Sequence, residues 1–463
     1  MIRLFKHYIP TPLLFLGVIE FLLLLISAEA AWQLRADQIG IDALPTTDRF
    51  GEVLTYAMVV SVVMLATGLY QPLHGYRSVR LVATRLLVAF ALSLVVLAVV
   101  FFLLPNVALW RSIFLYAALF SYVLIMVARG VFGKLINWNR FRRRVVVLGA
   151  GERAAKLEEV SRSPDAGFQI VRYVRMTDRE PRVAGAVVRE EVSSFYDLAD
   201  ELGVEEIVLA LEERRGALPT GDLLKAKLAG VHVTDMSSFL ERETGRVDLG
   251  SVSPSWLIFS DGFLGAKGSA VLGKRLYDIA ASSLLLAISS PLLLVAAALI
   301  KLTSPGPVFY RQERVGQFGR SFDVIKFRSM RTDAEKDGTP QWAQKSDPRV
   351  TAIGRIIRAT RIDEIPQIIN VLRGDMSFVG PRPERPFFVQ DLAAQIPFYN
   401  ERHVVKPGIT GWAQLNYPYG ASVDDARHKL EYDLYYVKNY SMFLDLLILI
   451  QTVRVILWRD GVR

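Results

Sequence analysis

Two adjacent carboxylates, Asp363 and Glu364, follow Arg361 and precede a Gly380-Pro-Arg382-Pro loop. These residue types suit chemistry on phosphate. The arginine fork grips phosphate oxygens, and a carboxylate can act as a nucleophile. Taken alone, Asp-Glu-x-Pro is an ordinary helix start, because acids complement the helix dipole and proline is tolerated in the first turn. A helix N-terminus with neighbouring arginines is also a phosphate site. A carboxylate beside a bound phosphate needs a cation to offset repulsion. Mg2+ fits, since it binds few carboxylates together with phosphate oxygens, and Asp363 is its candidate ligand. Residues 322–328 read as the return strand of a hairpin whose turn is Gly316-Gln-Phe-Gly319. Lys326 and Arg328 are two apart there, so they share a face and can grip a diphosphate; a solvated strand edge is the other reading.

These groups must be positioned by what surrounds them, and much of that is apolar. The 463 residues are 52% hydrophobic and 22% charged, with net charge +9. A mean hydropathy of +0.29 alongside so many charges means that the apolar residues are gathered in blocks. The excess of Lys and Arg fits phospholipid or a phosphorylated substrate, and the membrane blocks argue against nucleic acid. Without cysteine, disulfides, zinc thiolates and Cys nucleophiles are excluded. The five histidines are scattered, with no metal-ligand spacing.

Four apolar blocks, roughly 11–32, 54–70, 84–104 and 108–130, approach or reach the about 20 residues that a membrane span requires. The first is too long for a cleaved signal peptide and leads to no small-residue cleavage site. Basic residues alternate between the loops. Arg3 and Lys6 lie before block one, Arg77, Arg80 and Arg85 after block two, and Lys134, Arg140, Arg142, Arg143 and Arg144 after block four. The first loop is acidic instead, with Asp37, Asp42 and Asp48. This places the N-terminus and everything after residue 140 in the cytoplasm. Glu20, inside block one, either faces the helix bundle or serves a function.

From 145 the pattern changes to strand-helix-strand: Val145-Val-Val-Leu148, then 170–174, then 206–211. That alternation predicts a doubly wound parallel sheet over 145–265. Gly149-Ala-Gly151-Glu-Arg-Ala154 after the first strand resembles a dinucleotide fingerprint. The acid expected at the end of the second strand is missing, however: Arg175 stands there, with Asp178 only later. A tight turn in a Rossmann-like module without a cofactor is the plainer reading, and such a module would serve regulation or a homodimer interface.

Residues 276–300 have the length of a span, but both flanks are basic, with Lys274 and Arg275 before and Lys301, Arg311 and Arg314 after. Both ends therefore favour the cytoplasmic side. Ser289, Ser290 and Pro291 interrupt the middle, where proline removes a donor and bends the helix. A re-entrant helix over 274–302, dipping into one leaflet, satisfies both features. Residues 442–457 are apolar but carry Asp445, Gln451 and Arg454, which reads as an interfacial amphipathic helix.

Seven motifs now stand in order: Lys274-Arg275-x-x-Asp278, Ser290-Pro291, Ser304-Pro-Gly-Pro-Val-Phe-Tyr-Arg-Gln-Glu-Arg-Val-Gly316, Lys326-Phe-Arg-Ser-Met330, Arg361-x-Asp-Glu-x-Pro-Gln367, Gly374-Asp-Met-Ser-Phe-Val-Gly-Pro-Arg-Pro383 and Lys406-Pro-Gly-Ile-Thr-Gly-Trp-Ala-Gln414. Together they resemble the bacterial polyprenol-phosphate hexose-1-phosphate transferases that begin exopolysaccharide and O-antigen synthesis, strongly from 268 onward and weakly before. The resemblance implies the long form of that family. Its parts would be a four-helix transmembrane domain (1–140), a Rossmann-like cytoplasmic domain (145–265) and an α+β catalytic domain (268–463) with a re-entrant helix, all at the bacterial inner membrane. It implies a reaction of UDP-sugar with undecaprenyl phosphate that releases UMP, with glucose or galactose as family-level expectations. Asp363 would be the nucleophile on the sugar-bearing phosphorus. Glu364 would support Mg2+ or assist attack by the lipid phosphate. Arg382, Lys326, Arg328 and Arg361 would hold phosphates. A membrane-anchored nucleotide-sugar dehydratase or epimerase is a different class. It would need Tyr-x-x-x-Lys, and no tyrosine here has a lysine four residues on.

Overall fold

The computed structural model describes all residues except 1, 5–6, 42–45, 71–77, 136–141, 164–165, 178–180, 213–217, 253, 261, 264–268, 333, 335–347, 419, 421 and 459–463. Asp42, Arg77, Arg140 and Asp178, and Lys6, singled out above, lie outside the described residues. The chain forms two compact units, Met1–Gly245 and Arg246–Arg463.

The first unit opens with a short hairpin, β1 (Ile2–Leu4) and β2 (His7–Ile9), followed by long apolar helices α1 (Thr11–Ile39), α2 (Thr46–Ala66), α3 (Val79–Leu103) and α4 (Arg111–Leu135). Their inward faces gather Leu24, Trp32, Tyr56, Met64, Leu86, Leu97 and Ile113, while Phe15, Leu87, Phe102, Leu115 and Val127 point outward. A buried ion pair crosses the bundle. Glu20, fully buried, receives Arg129 Nε at 2.5 Å and Nη2 at 2.9 Å, and Arg129 Nη1 donates to the Leu69 carbonyl at 3.1 Å. Glu20 thus faces the bundle, ties α1 to α4, and leaves no charge toward lipid.

The rest of this unit is β3 (Arg143–Leu148), α5 (Glu152–Ser161), β4 (Phe168–Arg175), β5 (Ala186–Val188), α6 (Phe195–Glu201), β6 (Glu206–Leu209), α7 (Thr220–Leu228), β7 (His232–Asp235) and α8 (Met236–Thr244). The strands pair in the order β5-β4-β3-β6-β7, all parallel. Alternation along β3 divides the core. Val145 and Val147 pack with Leu157 and Phe239 from α5 and α8, whereas Val146 and Leu148 pack with Phe195 and Leu223 from α6 and α7. An apolar run without polar alternation is what a strand covered on both faces requires. The order reverses between β3 and β6, the switch point of a doubly wound sheet.

The second unit contains α9 (Pro254–Phe259), α10 (Ser269–Thr303), the antiparallel hairpin β8 (Phe309–Val315) and β9 (Ser321–Phe327), α11 (Ala352–Ala359), α12 (Ile368–Arg373), β10 (Ser377–Val379), α13 (Pro386–Gln395), β11 (Gly408–Thr410), α14 (Trp412–Asn416), α15 (Val423–Lys438) and α16 (Met442–Trp458). β10 and β11 pair in parallel. The core collects Val371, Phe378, Trp412, Leu434, Tyr435 and Ile448.

Helix α10 runs through Pro291. Proline cannot donate to the carbonyl four residues back, that of Ala287. The Ser290 hydroxyl takes that carbonyl at 2.9 Å, and Ser289 Oγ donates to Leu285 O at 2.6 Å. Ser290 thus re-satisfies the carbonyl that proline frees, while Ser289 back-bonds to the turn before it. Both ends of α10 pack on the same unit. Near its start, Lys274 Nζ meets Asp445 at 2.6 Å, and Arg275 donates to the carbonyls of Val371 and Leu372 at 2.5 and 2.6 Å. Asp278 accepts from Ser377 Oγ at 3.1 Å and the Phe378 amide at 3.2 Å. Near its end, Ala296 and Ile300 pack with Phe327 and Ile357. Among the described residues, five helices are long and apolar enough to cross a membrane: α1 to α4 and α10.

In α16 the charges face inward. Asp445 and Arg454 are buried, with Asp445 also bound by Tyr436 Oη at 2.7 Å, while Leu446, Ile456 and Leu457 are exposed. This is the reverse of a helix that turns its charges to water.

Candidate active site

The turn that carries the carboxylates is set up by α11. Thr351 caps that helix, accepting from the Gly354 amide at 2.9 Å. Gly354 lies against the Ser329 carbonyl, where a Cβ would collide. After Thr360 the chain reverses at Arg361, whose φ of 60° is left-handed, an unfavourable conformation for a side-chain-bearing residue. A 3-10 turn, Ile362–Gln367, follows and leads into α12, which ends at left-handed Gly374. A continuous α-helix from the acid pair onward would put Ile365, Ile368, Ile369 and Leu372 on one apolar face. Instead the deepest side chains are Pro366, Gln367, Ile368, Asn370 and Val371. The tighter 3-10 period rotates the first turn relative to a continuous α-helix and buries Asp363 as well.

Asp363 and Glu364 are adjacent but electrostatically unlike. Glu364 Oε1 accepts from Lys326 Nζ at 2.9 Å and Arg382 Nη2 at 2.8 Å, and Arg361 Nη1 lies 3.8 Å from Oε2. Burial alone would raise its pKa, but Arg382 and Lys326 overcome that and hold it well below the ordinary carboxylate value. Asp363 is 9% exposed, and among the described residues its Oδ1 has no hydrogen-bond partner. Burial first, then the Glu364 charge, push its pKa up to about 6, against the pull of Lys326, Arg358 and Arg361. Lys326 is lowered by its own burial, with Glu364 opposing. A buried carboxylate without partners, beside one saturated with cations, suits nucleophilic attack.

Arg382 is held by its backbone. The carbonyl of Pro381 accepts from the Gly408 amide at 2.9 Å, that of Arg382 from Arg402 Nη2 at 2.8 Å, that of Pro383 from Arg314 Nη1 at 3.2 Å, and that of Glu384 from the Val315 amide at 2.9 Å. Four successive anchors fix a loop with two prolines and aim Arg382 at Glu364. Arg402 in turn pairs with buried Asp433 at 2.8 Å. Sequence reading missed Arg402, Asp433 and Arg358, because nothing in their spacing marks them, and it took Arg314 only as a basic flank and motif residue.

Lys326, Arg361, Asp363, Glu364 and Arg382 therefore converge. Arg328 does not join them. It lies just past the end of β9, and its guanidinium donates to Pro305 O at 2.6 Å, Ser304 O at 2.9 Å and Ser304 Oγ at 2.8 Å, bracing the exit from α10. Lys274, Arg275 and Asp278 fasten the base of α10 to β10 and α12, and Ser290 and Pro291 act within the helix. Lys274 Nζ and Tyr436 Oη both reach the Val379 carbonyl, at 3.5 and 3.0 Å, next to the Gly380-Pro-Arg382-Pro loop.

Among the described residues, no cluster of three or more His, Cys, Asp or Glu is arranged to hold a metal. The Asp363 carboxylate, with Oδ1 unpartnered, is the group that would hold Mg2+, whose chemistry suits one carboxylate together with phosphate oxygens. Glu364 is already engaged by cations.

Residues 269–459 match the family described as bacterial sugar transferase, and residues 65–217 match a CoA-binding domain. The chain is 46% identical over 241 residues to a UDP-N-acetylgalactosamine-undecaprenyl-phosphate N-acetylgalactosaminephosphotransferase of Aeromonas hydrophila, covering 52% of this chain and 56% of that protein. It is 44% identical over 192 residues to a UDP-glucose:undecaprenyl-phosphate glucose-1-phosphate transferase of Caulobacter vibrioides, covering 41% of this chain and 72% of the relative. A protein of the latter description from Xanthomonas campestris pv. campestris is 34% identical over 330 residues, 68% of this chain and 66% of its own. The first of these matches thus spans little more than half of that relative's length. These matches place this chain in the family of bacterial polyprenol-phosphate hexose-1-phosphate transferases.

Proposed function

We propose that the chain transfers a sugar 1-phosphate from a UDP-sugar to undecaprenyl phosphate, releasing UMP, through a covalent intermediate on Asp363. The observation that carries this is the unpartnered, buried Asp363 oxygen beside the Glu364–Lys326–Arg382 cluster. An Asp363 oxygen attacks the sugar-bearing phosphorus. The bond from that phosphorus to the bridging oxygen breaks, and UMP leaves with the electron pair. An oxygen of the lipid phosphate then attacks the same phosphorus, the aspartyl phosphate bond breaks, and the carboxylate is regenerated. Lys326, Arg382 and Arg361 neutralise phosphate charge, which is most of what phosphoryl transfer asks of a protein. Glu364 holds these cations in place between turnovers. Mg2+, when bound at Asp363 with substrate phosphate, supplies further charge neutralisation. Dividing the transfer into two displacements lets a soluble donor leave before a lipid acceptor enters.

In this reading α1 to α4 span the inner membrane and α10 is re-entrant. The re-entrant reading is supported by the attachment of both ends of α10 to one unit, by basic residues at both flanks, and by Ser290 and Pro291 between them. The outward apolar face of α16 suits the acyl boundary on the same side. The catalytic unit then works at the cytoplasmic face, in the first step of exopolysaccharide or O-antigen synthesis. Relatives act on different sugars by name, so the donor is to be found by assay. Purified protein in lipid would receive Mg2+, undecaprenyl phosphate and UDP-glucose, UDP-galactose or UDP-N-acetylgalactosamine, with UMP as the readout. Lipid-dependent UMP release with one donor is expected. Folded protein that releases UMP with none of them would sink the proposal for these donors.

A further inference from the structure

The glycine loop of the Rossmann-like module sits where a doubly wound sheet receives the phosphates of a nucleotide: at the switch point between β3 and β6, before the N-terminus of α5. Residues 65–217, which match a CoA-binding domain, include this loop, and coenzyme A carries a diphosphate. The seat is not open. Glu212, just after β6, sets its carboxylate over the loop and accepts from the Glu152 amide at 2.8 Å, in the first turn of α5. A Cβ at Gly151 would collide with that carboxylate, so the space the glycine leaves free is filled by the chain's own acid. The loop is tied down from two more directions. Arg153 Nη1 donates to the Leu211 carbonyl at 2.9 Å, and the Arg182 amide donates to the Ala150 carbonyl at 2.7 Å. At the end of β4, where the fingerprint for NAD requires an acid on the ribose, stands Arg175, a residue that suits a phosphorylated ribose instead.

We infer that Glu212 is the internal ligand of this glycine loop, and that the module takes neither a dinucleotide nor coenzyme A. A diphosphate would have to displace a carboxylate already bonded to the helix start and would meet its charge. The glycines are kept by the close approach of backbone and carboxylate rather than by a cofactor. Gly149 illustrates this: its φ of 127° and its contact with the Ala210 carbonyl leave no room for a side chain.

The test uses the full chain in lipid nanodiscs: wild type, Glu212→Gln and Glu212→Ala. Calorimetric titration with NAD, NADP and coenzyme A should give no saturable binding to wild type. Removing the internal carboxylate should lower the unfolding midpoint of the alanine variant by about 2–4 °C, the size expected for loss of a helix cap. Millimolar inorganic pyrophosphate, added to chains that all carry Arg382→Ala to weaken the catalytic phosphate site, should restore that midpoint in Glu212→Ala and raise it by clearly less where Glu212 is present. Glu212→Gln, which keeps an acceptor but loses the charge, should fall between them. Saturable micromolar binding of any of the three cofactors by wild type would overturn the inference. So would a pyrophosphate response equal with and without Glu212, or absent from both variants.

Discussion

Glu20 and Asp363 are both buried carboxylates, and the chain treats them in opposite ways. Glu20, in the helix bundle of the first unit, has both oxygens taken by Arg129. Asp363, in the second unit, keeps one oxygen without a partner while its neighbour Glu364 collects the cations. An unpaired buried acid is costly, and Glu20 avoids that cost through its ion pair with Arg129. On the function proposed above, the unsatisfied Asp363 oxygen, close to several cations, serves the reaction. The two acids are alike in burial and differ in pairing.

The sharpest way to break the comparison is to neutralise each acid. Asp363→Asn should lower UMP release by at least roughly 10^4-fold, the scale of losing a nucleophile. Glu20→Gln should leave turnover per folded molecule within about two-fold while lowering stability by about 3–5 kcal/mol, because the buried Arg129 charge loses its carboxylate. If Glu20→Gln abolished turnover in folded protein, the structural assignment of that pair would fail. Next in size, Glu364→Gln frees Lys326 and Arg382 from their shared anchor and should reduce kcat by about 10^2–10^3-fold, comparable to removing a preorganised electrostatic contact. Steady-state kinetics at saturating donor would read this.

The pH dependence follows from Asp363. The carboxyl must be ionised to attack, and its pKa is pushed up to about 6. The pH profile of kcat/KM should therefore fall about tenfold per unit below pH 6. The stability sign is opposite. The folded chain retains this proton up to about pH 6, while the unfolded chain releases it near pH 4. Stability from this group is present at low pH and is lost as pH rises through that window. Asp363→Asn should accordingly be more stable than wild type at pH 7, by on the order of 1–2 kcal/mol, with denaturant unfolding as the check. Smallest of all should be Arg328→Lys, which touches the turn at Ser304 and Pro305 rather than the site. A loss of about 1 kcal/mol in stability and a change in kcat within about threefold are expected. A collapse of kcat with stability unchanged would return Arg328 to the phosphate-binding set.

The elements that position the site were largely legible. The β8–β9 hairpin, the doubly wound alternation from β3, and the proline-interrupted apolar helix all leave local patterns of period or composition. The acid pair and the Arg382 loop were legible as motifs. What joins them was not. Lys326 and Glu364 are 38 residues apart, Arg382 and Glu364 18, and Lys274 and Asp445 171, so their pairing is a property of the folded chain. Arg328 was misleading because strand alternation predicts a shared face with Lys326, but β9 has ended by residue 328. The face of α12 was misassigned because a 3-10 turn precedes it. Asp445 and Arg454 read as surface charges of an interfacial helix, and only tertiary partners turn them inward. Glu212 carried no signal at all, since one acid after a strand has no pattern.

The central claim is that Asp363 carries the sugar phosphate. Protein in lipid should be mixed with the active UDP-sugar, labelled in the sugar, with no undecaprenyl phosphate present, and then quenched, digested and analysed by mass spectrometry. The account predicts a burst of UMP approaching one per active chain and a phosphosugar on the peptide containing Asp363, removed when lipid phosphate is added. An equal burst from Asp363→Asn, or steady lipid-dependent turnover by wild type with no labelled peptide and no burst, would contradict it.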